Sequence, residues 1–115
     1  MPLSMLALGL SSLVASAAAQ NPDYEQAISL AERGDHARAL PIIERLLAQS
    51  PQDLKILNLM GIMLTAAGRP LEANGHFKKA IDLNPQFYPA LKNLAVNELR
   101  LGRVSEARLH FEILC

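Results

Sequence analysis

A chain of 115 residues has room for one small domain, and half of its residues are hydrophobic while only 4% are aromatic. Eleven basic residues balance eleven acidic ones, so the chain lacks the positive field with which nucleic-acid-binding proteins attract phosphates. The composition predicts a helical, globular domain and argues against nucleic acid as a partner.

The first nineteen residues form an uncharged, largely apolar segment. A run rich in leucine, alanine and serine extends from Leu3 to Val14 and is followed by small residues that include Ala17 and Ala19. This segment resembles a secretory signal peptide, in which signal peptidase cuts after such a pair of small residues. We therefore predict that residues 1–19 are a signal peptide cleaved after Ala19. The protein would then be exported from a bacterial cell to the periplasm, the cell envelope or the medium.

Two other interpretations of this leader are open. A signal peptide normally carries Lys or Arg before its apolar run, whereas only the α-amino group is positive here. An uncleaved membrane anchor would need roughly 20 apolar residues to cross the hydrocarbon core, and this run is shorter and contains serines. The protein would contact a membrane only if the leader were such an anchor. The third interpretation is a helix without a targeting role.

After the leader, the sequence repeats with a period of 34 residues. Gly34, Gly68 and Gly102 are spaced at this interval, and each is followed five residues later by an alanine and nine residues later by isoleucine or phenylalanine. A fixed period of this length is typical of arrays of helical hairpins. Aligned on the glycines, the domain at 20–115 divides into repeats at 20–53, 54–87 and 88–115, the last six residues short of the period.

The sequence of each repeat predicts two helices that are joined by a turn at the periodic glycine. Asn21 and Pro22 supply a cap and a first-turn proline for the first helix, Asp35 caps the second, and Pro70 opens the fourth. Pro41 falls inside the second helix, where a proline forfeits a hydrogen bond. We therefore expect a slight kink or a later helix start near Pro41.

Small residues occupy two equivalent positions in every repeat. They are Ala27, Gly61 and Ala95 on the first helices and Ala39, Ala73 and Ala107 on the second helices. We expect them to let the two helices of each hairpin approach closely. Phe77 and Phe111 should then fill the space between successive hairpins.

One position departs from this apolar pattern. Glu98 stands where the first two repeats place Leu30 and Leu64. A carboxylate is costly to bury without partners. We therefore expect the fifth helix either to expose Glu98 or to shift so that Leu99 faces inward.

At these residues the chain resembles the tetratricopeptide repeat family, whose pattern sets an aromatic residue, Leu-Gly, a Tyr-like residue, Ala, Phe and Pro at fixed spacings. The middle repeat matches at Gly61, Ala73, Phe77, Ala80 and Pro85. The resemblance implies an all-α fold, a right-handed superhelical solenoid of antiparallel helix-turn-helix hairpins. It also implies a protein–protein interaction scaffold that binds a peptide or a partner helix in a concave groove lined by the first helices.

The resemblance also indicates which residues would line that groove. They lie one step around the first helices from the packing stripe: Tyr24, Ile28, Asn58, Ile62, Thr65, Lys92, Asn93, Val96 and Arg100. The amides among them are able to bond a peptide backbone. Some family members hold a carboxyl terminus in a clamp of Lys, Asn and Arg. Here Tyr24, Ile28, Leu59 and Pro89 occupy four of the five clamp positions, so that clamp is not expected.

No catalytic or cofactor-binding motif accompanies the repeats. The sequence contains no Gly-x-Ser-x-Gly, no glycine-rich phosphate loop and no His-Glu-x-x-His. His76 and His110 are one repeat apart without an evident third ligand, and Cys115 is the single cysteine. We therefore expect no enzyme activity, metal, cofactor or small-molecule substrate in this chain.

The sixth predicted helix carries apolar residues that no later helix covers. They are Leu109, Ile113 and Leu114. Because solenoids need a polar terminal cap for solubility, we expect the chain to be the amino-terminal fragment of a longer protein. Two alternatives follow. The repeats precede the catalytic domain of a longer exported enzyme, or the uncapped helix packs on a second copy of the chain.

Overall fold

The structure is a computed structural model that describes residues 21–115. These residues form helices and no strands. The helices are α1 (Pro22–Glu32), α2 (His36–Gln49), α3 (Leu54–Ala66), α4 (Pro70–Leu83), α5 (Tyr88–Arg100) and α6 (Val104–Leu114). The predicted signal peptide and its cleavage site lie outside the described residues. Within residues 21–115, no helix is both long and apolar enough to cross a membrane.

The helices pair as three hairpins, α1 with α2, α3 with α4 and α5 with α6. Successive hairpins stack because α2 packs on α3 and α4 packs on α5. Helix α3 also contacts α5, which places these two first helices side by side. The predicted all-α repeat solenoid is thereby confirmed.

Each hairpin turns at one of the three periodic glycines. Gly34, Gly68 and Gly102 have φ angles of 73°, 80° and 81°, in the left-handed region that favours glycine. After Gly34, the backbone N–H of Asp35 donates to the carbonyl of Leu30 at 2.9 Å, which satisfies the end of α1. Equivalent bonds close α3 and α5. The 34-residue period therefore has a direct structural cause.

The caps and the first-turn proline lie where the sequence predicts them. Asn21 Oδ1 accepts from the N–H of Asp23 at 2.9 Å, and Asp35 Oδ1 accepts from the N–H of Arg38 at 3.2 Å. Pro70 is the first residue of α4. These side chains satisfy backbone donors that the first turn of a helix leaves free.

Pro41 does not delay the second helix. Helix α2 begins at His36 and runs through Pro41, so the later start is wrong, and the slight kink that was the other expectation stays a prediction. The neighbouring Leu40, Ile42 and Ile43 are buried while Pro41 is exposed. Burying those side chains offsets the one hydrogen bond that the proline removes.

The small residues at the helix crossings are buried, as predicted. In the middle hairpin, a Cβ added at Gly61 would overlap the Phe77 ring, with Cζ at 2.5 Å and Cδ1 at 2.7 Å. Phe77 is therefore packed against α3 of its own hairpin rather than only between hairpins. Phe111, its equivalent on α6, is partly buried.

Glu98 contradicts both expectations for the fifth helix. Its side chain is only 1% exposed, whereas Leu99 is 52% exposed. Turning α5 to bury Leu99 would expose the rest of its apolar stripe, so the helix keeps the register set by Leu30 and Leu64. His110 on α6 pairs with the Glu98 carboxylate, and the distance from His110 Nδ1 to Glu98 Oε1 is 2.5 Å. The other carboxylate oxygen, Oε2, has no hydrogen-bond partner among residues 21–115.

Candidate functional site

Three adjoining hollows follow the first helices across the hairpins. The first hollow, of about 340 Å³ between α1 and α3, is lined by Tyr24, Ile28, Lys55, Asn58, Leu59, Ile62, Phe87 and Pro89. The central hollow, of about 160 Å³ between α3 and α5, is lined by Ile62, Thr65, Phe77, Asn93, Val96, Asn97 and Arg100. The terminal hollow, of about 410 Å³, is lined by Tyr88, Pro89, Lys92, Asn93 and Leu114. Because neighbouring hollows share residues, we refer to the three together as the groove.

All nine residues proposed from the sequence line the groove. Tyr24, Ile28 and Asn58 lie in the first hollow, and Ile62 connects it to the central hollow. The central hollow holds Thr65, Val96 and Arg100, with Asn93 shared with the terminal hollow that Lys92 lines. These nine side chains thus lie along the three hollows, and their role in binding a partner stays a prediction.

Sequence reasoning missed several residues that shape the groove. Lys55 begins α3, Phe87 precedes α5, and Asn97 lies on the buried side of α5. Phe77 belongs to a second helix, yet its ring reaches the central hollow because Gly61 has no side chain to block it. The glycine and the phenylalanine were visible in the sequence, but only their contact shows that the ring forms part of the groove.

A buried hydrogen-bond network lies beneath the central hollow. The Asn97 amide donates to Thr65 Oγ1 at 2.9 Å and to Asn74 Oδ1 at 3.1 Å. The Thr65 hydroxyl in turn donates to the carbonyl of Gly61 at 2.9 Å. These bonds join α3, α4 and α5 and fix the position of Thr65. Since its hydroxyl proton is already donated, Thr65 can offer a ligand only an acceptor.

Asn58 and Asn93 bridge the groove between α3 and α5. The Asn93 amide donates to Asn58 Oδ1 at 3.0 Å, and both side chains are partly buried. The Asn58 amino group and the Asn93 carbonyl oxygen make no side-chain bond within residues 21–115. This pair therefore presents one donor and one acceptor, which is what an extended peptide backbone requires.

Tyr24 forms the end of the groove nearest α1. Partial burial raises the pKa of its hydroxyl above the ordinary value, and the negative charges of Asp53 and Glu25 raise it further. The phenol is therefore protonated at neutral pH and able to donate a hydrogen bond to a ligand.

The described residues hold no cluster of three His, Cys, Asp or Glu side chains suited to a metal ion. His110 is paired with Glu98, and Cys115 is an exposed free thiol. Burial lowers the pKa of His76, and the charge of Lys79 lowers it further while Glu72 opposes both. His76 is thus neutral over a wider range of pH than a solvated histidine.

Stacked helical hairpins with a continuous groove along their first helices define the class of helical repeat proteins. The family model described as Tetratricopeptide repeat matches residues 24–86. A second model with the same description matches residues 64–112. The chain therefore belongs to the tetratricopeptide repeat family, whose members act as protein–protein interaction scaffolds.

Two curated proteins resemble the chain over most of its length. The chain is 34% identical over 91 residues to the "Probable biofilm formation methyltransferase WspC" of Pseudomonas aeruginosa, a match covering 75% of this chain and 22% of that protein. It is 32% identical over 78 residues to the "TPR repeat-containing thioredoxin TTL4" of Arabidopsis thaliana, covering 68% of this chain and 11% of that protein. The chain thus spans less than a quarter of the length of either relative.

Solved structures of MamA share the fold. The structure described as "MamA 41-end from Desulfovibrio magneticus RS-1" superposes with a TM-score of 0.76 and 23% identity. A "MamA RS-1 ArsTM double mutant" superposes with a TM-score of 0.75 and the same identity. Each match covers 78% of this chain and 51% of the MamA chain. At this identity the likeness establishes the fold alone.

Proposed function

We propose that the protein is an exported interaction scaffold that binds a peptide or a partner helix in the groove. The observation that carries this proposal is the continuity of the three hollows across α1, α3 and α5. Apolar side chains alternate there with amides, so the surface offers both burial and backbone hydrogen bonds. Such a mixture suits a segment of another protein.

Replacing the polar groove residues tests this proposal. We expect a variant in which Asn58, Lys92, Asn93 and Arg100 are all alanine to lose the native partner in a pull-down from the cell of origin. Circular dichroism should show unchanged helicity, because none of the four side chains is fully buried.

A matched variant supplies the control. Gln52, Lys78, Gln86 and Arg108 are exposed and lie outside the three hollows. Changing them to alanine removes the same number of amides and cations as the groove variant. Retention of the partner by the control and its loss by the groove variant would support the proposal. Full retention by the groove variant would overturn it.

Export is a separate part of the proposal and rests on the leader. The uncharged apolar run and the small residues before Gln20 are the features that support it. Amino-terminal sequencing of protein recovered from the periplasm or the medium should give a mature chain that begins at Gln20. A chain that stays in the cytoplasm and begins at Met1 would contradict export.

We propose as a second candidate that the repeats are the amino-terminal region of a longer exported enzyme. One curated relative is named as a methyltransferase and the other as a thioredoxin. The matched segment covers only 22% of the first protein and 11% of the second. In this candidate the groove would recruit a substrate or regulator for a catalytic domain encoded beyond Cys115.

The size of the native protein separates the two candidates. An antibody raised against residues 21–115 should detect, in the cell of origin, either a band no larger than the 12.5 kDa of this chain, and smaller once the leader is cleaved, or a larger band. A larger band would favour the enzyme candidate if its peptides from beyond Cys115 belong to a catalytic domain. The small band would exclude it.

A further inference from the structure

The charged side chains that line the groove are all basic. Lys55 lies in the first hollow, Arg100 in the central hollow and Lys92 in the terminal hollow, and none of the three hollows has an Asp or Glu lining. Since the chain as a whole carries no net charge, this separation is a property of the surface rather than of the composition.

These three cations also lack partners within the described residues. Elsewhere Arg38, Arg45, Arg69 and Arg103 each lie within 4 Å of an aspartate or glutamate. No such ion pair involves Lys55, Lys92 or Arg100 within residues 21–115. The groove thus holds positive charges that an incoming anionic group can neutralise.

The electrostatic potential differs between the two ends of the groove. At the α1 end, Asp53 and Glu25 lie close enough to Tyr24 to influence its hydroxyl. At the α5 end, Arg100 and Lys92 face the groove without a nearby acidic lining residue. An acidic ligand is therefore favoured over α5 and disfavoured near Tyr24.

Apolar contacts are concentrated at the opposite end of the groove from Arg100 and Lys92. The first hollow contains Ile28, Leu59, Ile62, Phe87 and the ring of Tyr24. It is also more than twice as large as the central hollow, at about 340 Å³ against about 160 Å³. The first hollow suits a bulky apolar side chain, whereas the central hollow beside Arg100 suits a small carboxylate group.

We infer that the natural ligand is an extended acidic peptide, with an apolar side chain in the first hollow and aspartate or glutamate over Arg100 and Lys92. This inference rests on the proposed function, because it names the chemistry of the partner that the groove holds. Arginine presents a planar fork that matches a carboxylate through two parallel hydrogen bonds. Asn58 and Asn93 lie between the two ends and would bond the intervening backbone.

A random twelve-residue peptide library displayed on phage tests the inference and does not require the partner to be identified. Selection on the immobilised 115-residue chain should enrich aspartate and glutamate over lysine and arginine, together with at least one large apolar residue. Raising the salt concentration from about 50 to about 500 mM should weaken binding of the selected peptides, because exposed ion pairs are screened. Enrichment of basic peptides, or no recoverable binder, would overturn the inference.

A pair of charge reversals locates the acidic contact. Arg100→Glu should weaken a selected acidic peptide at least about tenfold, since it replaces an attraction by a repulsion at the binding surface. Arg108→Glu makes the same change in net charge on an exposed residue of α6 outside the groove, and it should alter affinity less than about twofold. Equal losses in the two variants would contradict the assignment to Arg100.

The outcomes also distinguish this inference from the function on which it rests. Selected neutral peptides that bind the native chain but not the variant with Asn58, Lys92, Asn93 and Arg100 changed to alanine would refute the acidic preference and leave the groove as the binding site. Peptides that bind that variant as tightly as the native chain would refute both.

Discussion

Gly61 and Phe77 are in close contact within the middle hairpin. A methyl group at position 61 has no space beside the aromatic ring. We expect Gly61→Ala to lower the free energy of unfolding by about 1 to 3 kcal/mol, measured by urea denaturation, because the crossing would be overpacked.

Gly75 offers the matched control for this substitution. It lies in the exposed part of α4, and nothing lies within 4 Å of a Cβ built on it. Gly75→Ala should therefore stabilise the protein by about 0.5 to 1 kcal/mol through helix propensity. Equal effects of the two changes would show that the close crossing does not exist.

The buried pair of Glu98 and His110 gives a second prediction at the residue scale. In the first repeat, Leu30 is equivalent to Glu98 and Ile42 is equivalent to His110. Both of these apolar side chains are buried. Glu98 and His110 form a hydrogen-bonded pair, and replacing such a polar pair by apolar residues of similar size should stabilise the protein by about 1 to 4 kcal/mol. We expect the double variant Glu98→Leu/His110→Ile to be more stable than the native chain in urea.

The single variant His110→Ala should have the opposite effect. It leaves the Glu98 carboxylate, which is 1% exposed, without its histidine partner. Loss of one member of a buried pair is strongly destabilising. A double variant that is less stable than the native chain would mean that the pair holds α5 and α6 together better than apolar packing does.

At the scale of the element, α2 continues through Pro41 because burial of the neighbouring side chains outweighs the low helix propensity of proline. It lacks an N–H for the carbonyl of Ala37, and it is exposed while its neighbours in α2 are buried. Pro41→Ala should stabilise the chain by up to about 3 kcal/mol in thermal or urea unfolding. Pro70→Ala, at the first position of α4, should give no gain because proline is well accommodated there. No difference between the two variants would contradict this account of α2.

The elements themselves were predictable because their causes are local or periodic. Gly34, Gly68 and Gly102 stop the first helices, Asp35 caps the second, and small residues recur at each crossing. Register along the first helices also predicts nine side chains that line the three hollows, and their role in binding stays a prediction.

Contacts between helices were not predictable in the same way. The burial of Glu98 depends on His110, which lies twelve residues away on the next helix. The presence of Phe77 in the groove depends on the missing side chain of Gly61. Phe87 enters the groove from the turn before α5, where helical periodicity does not apply.

At the scale of the whole molecule, three apolar residues of α6 divide into two groups, because Leu114 is partly buried whereas Leu109 and Ile113 are exposed. Leu114 is in register with Ala80, which is buried beneath the next hairpin. Leu109 and Ile113 are in register with Gly75 and Lys79, which are both exposed although α5 and α6 follow them. A further repeat would therefore leave Leu109 and Ile113 in solvent, and self-association of the chain through them stays a prediction.

Self-association through this pair is measurable by sedimentation. Leu109 and Ile113 are 61% and 59% exposed and lie one helical turn apart. We expect the sedimentation coefficient to rise with protein concentration, and the variant Leu109→Ser/Ile113→Ser to abolish the rise without loss of helicity. A native chain that remains monomeric at millimolar concentration would contradict this role.

Site-specific photo-crosslinking in the cell of origin tests most directly whether the groove is the docking surface. Ile62 lines both the first and the central hollow and is 38% exposed, whereas Lys78 is exposed on α4 outside the groove. A photoreactive amino acid in place of Ile62 should give a covalent adduct with a partner protein, and the same residue in place of Lys78 should give none. An adduct from position 78 and none from position 62 would contradict the central claim.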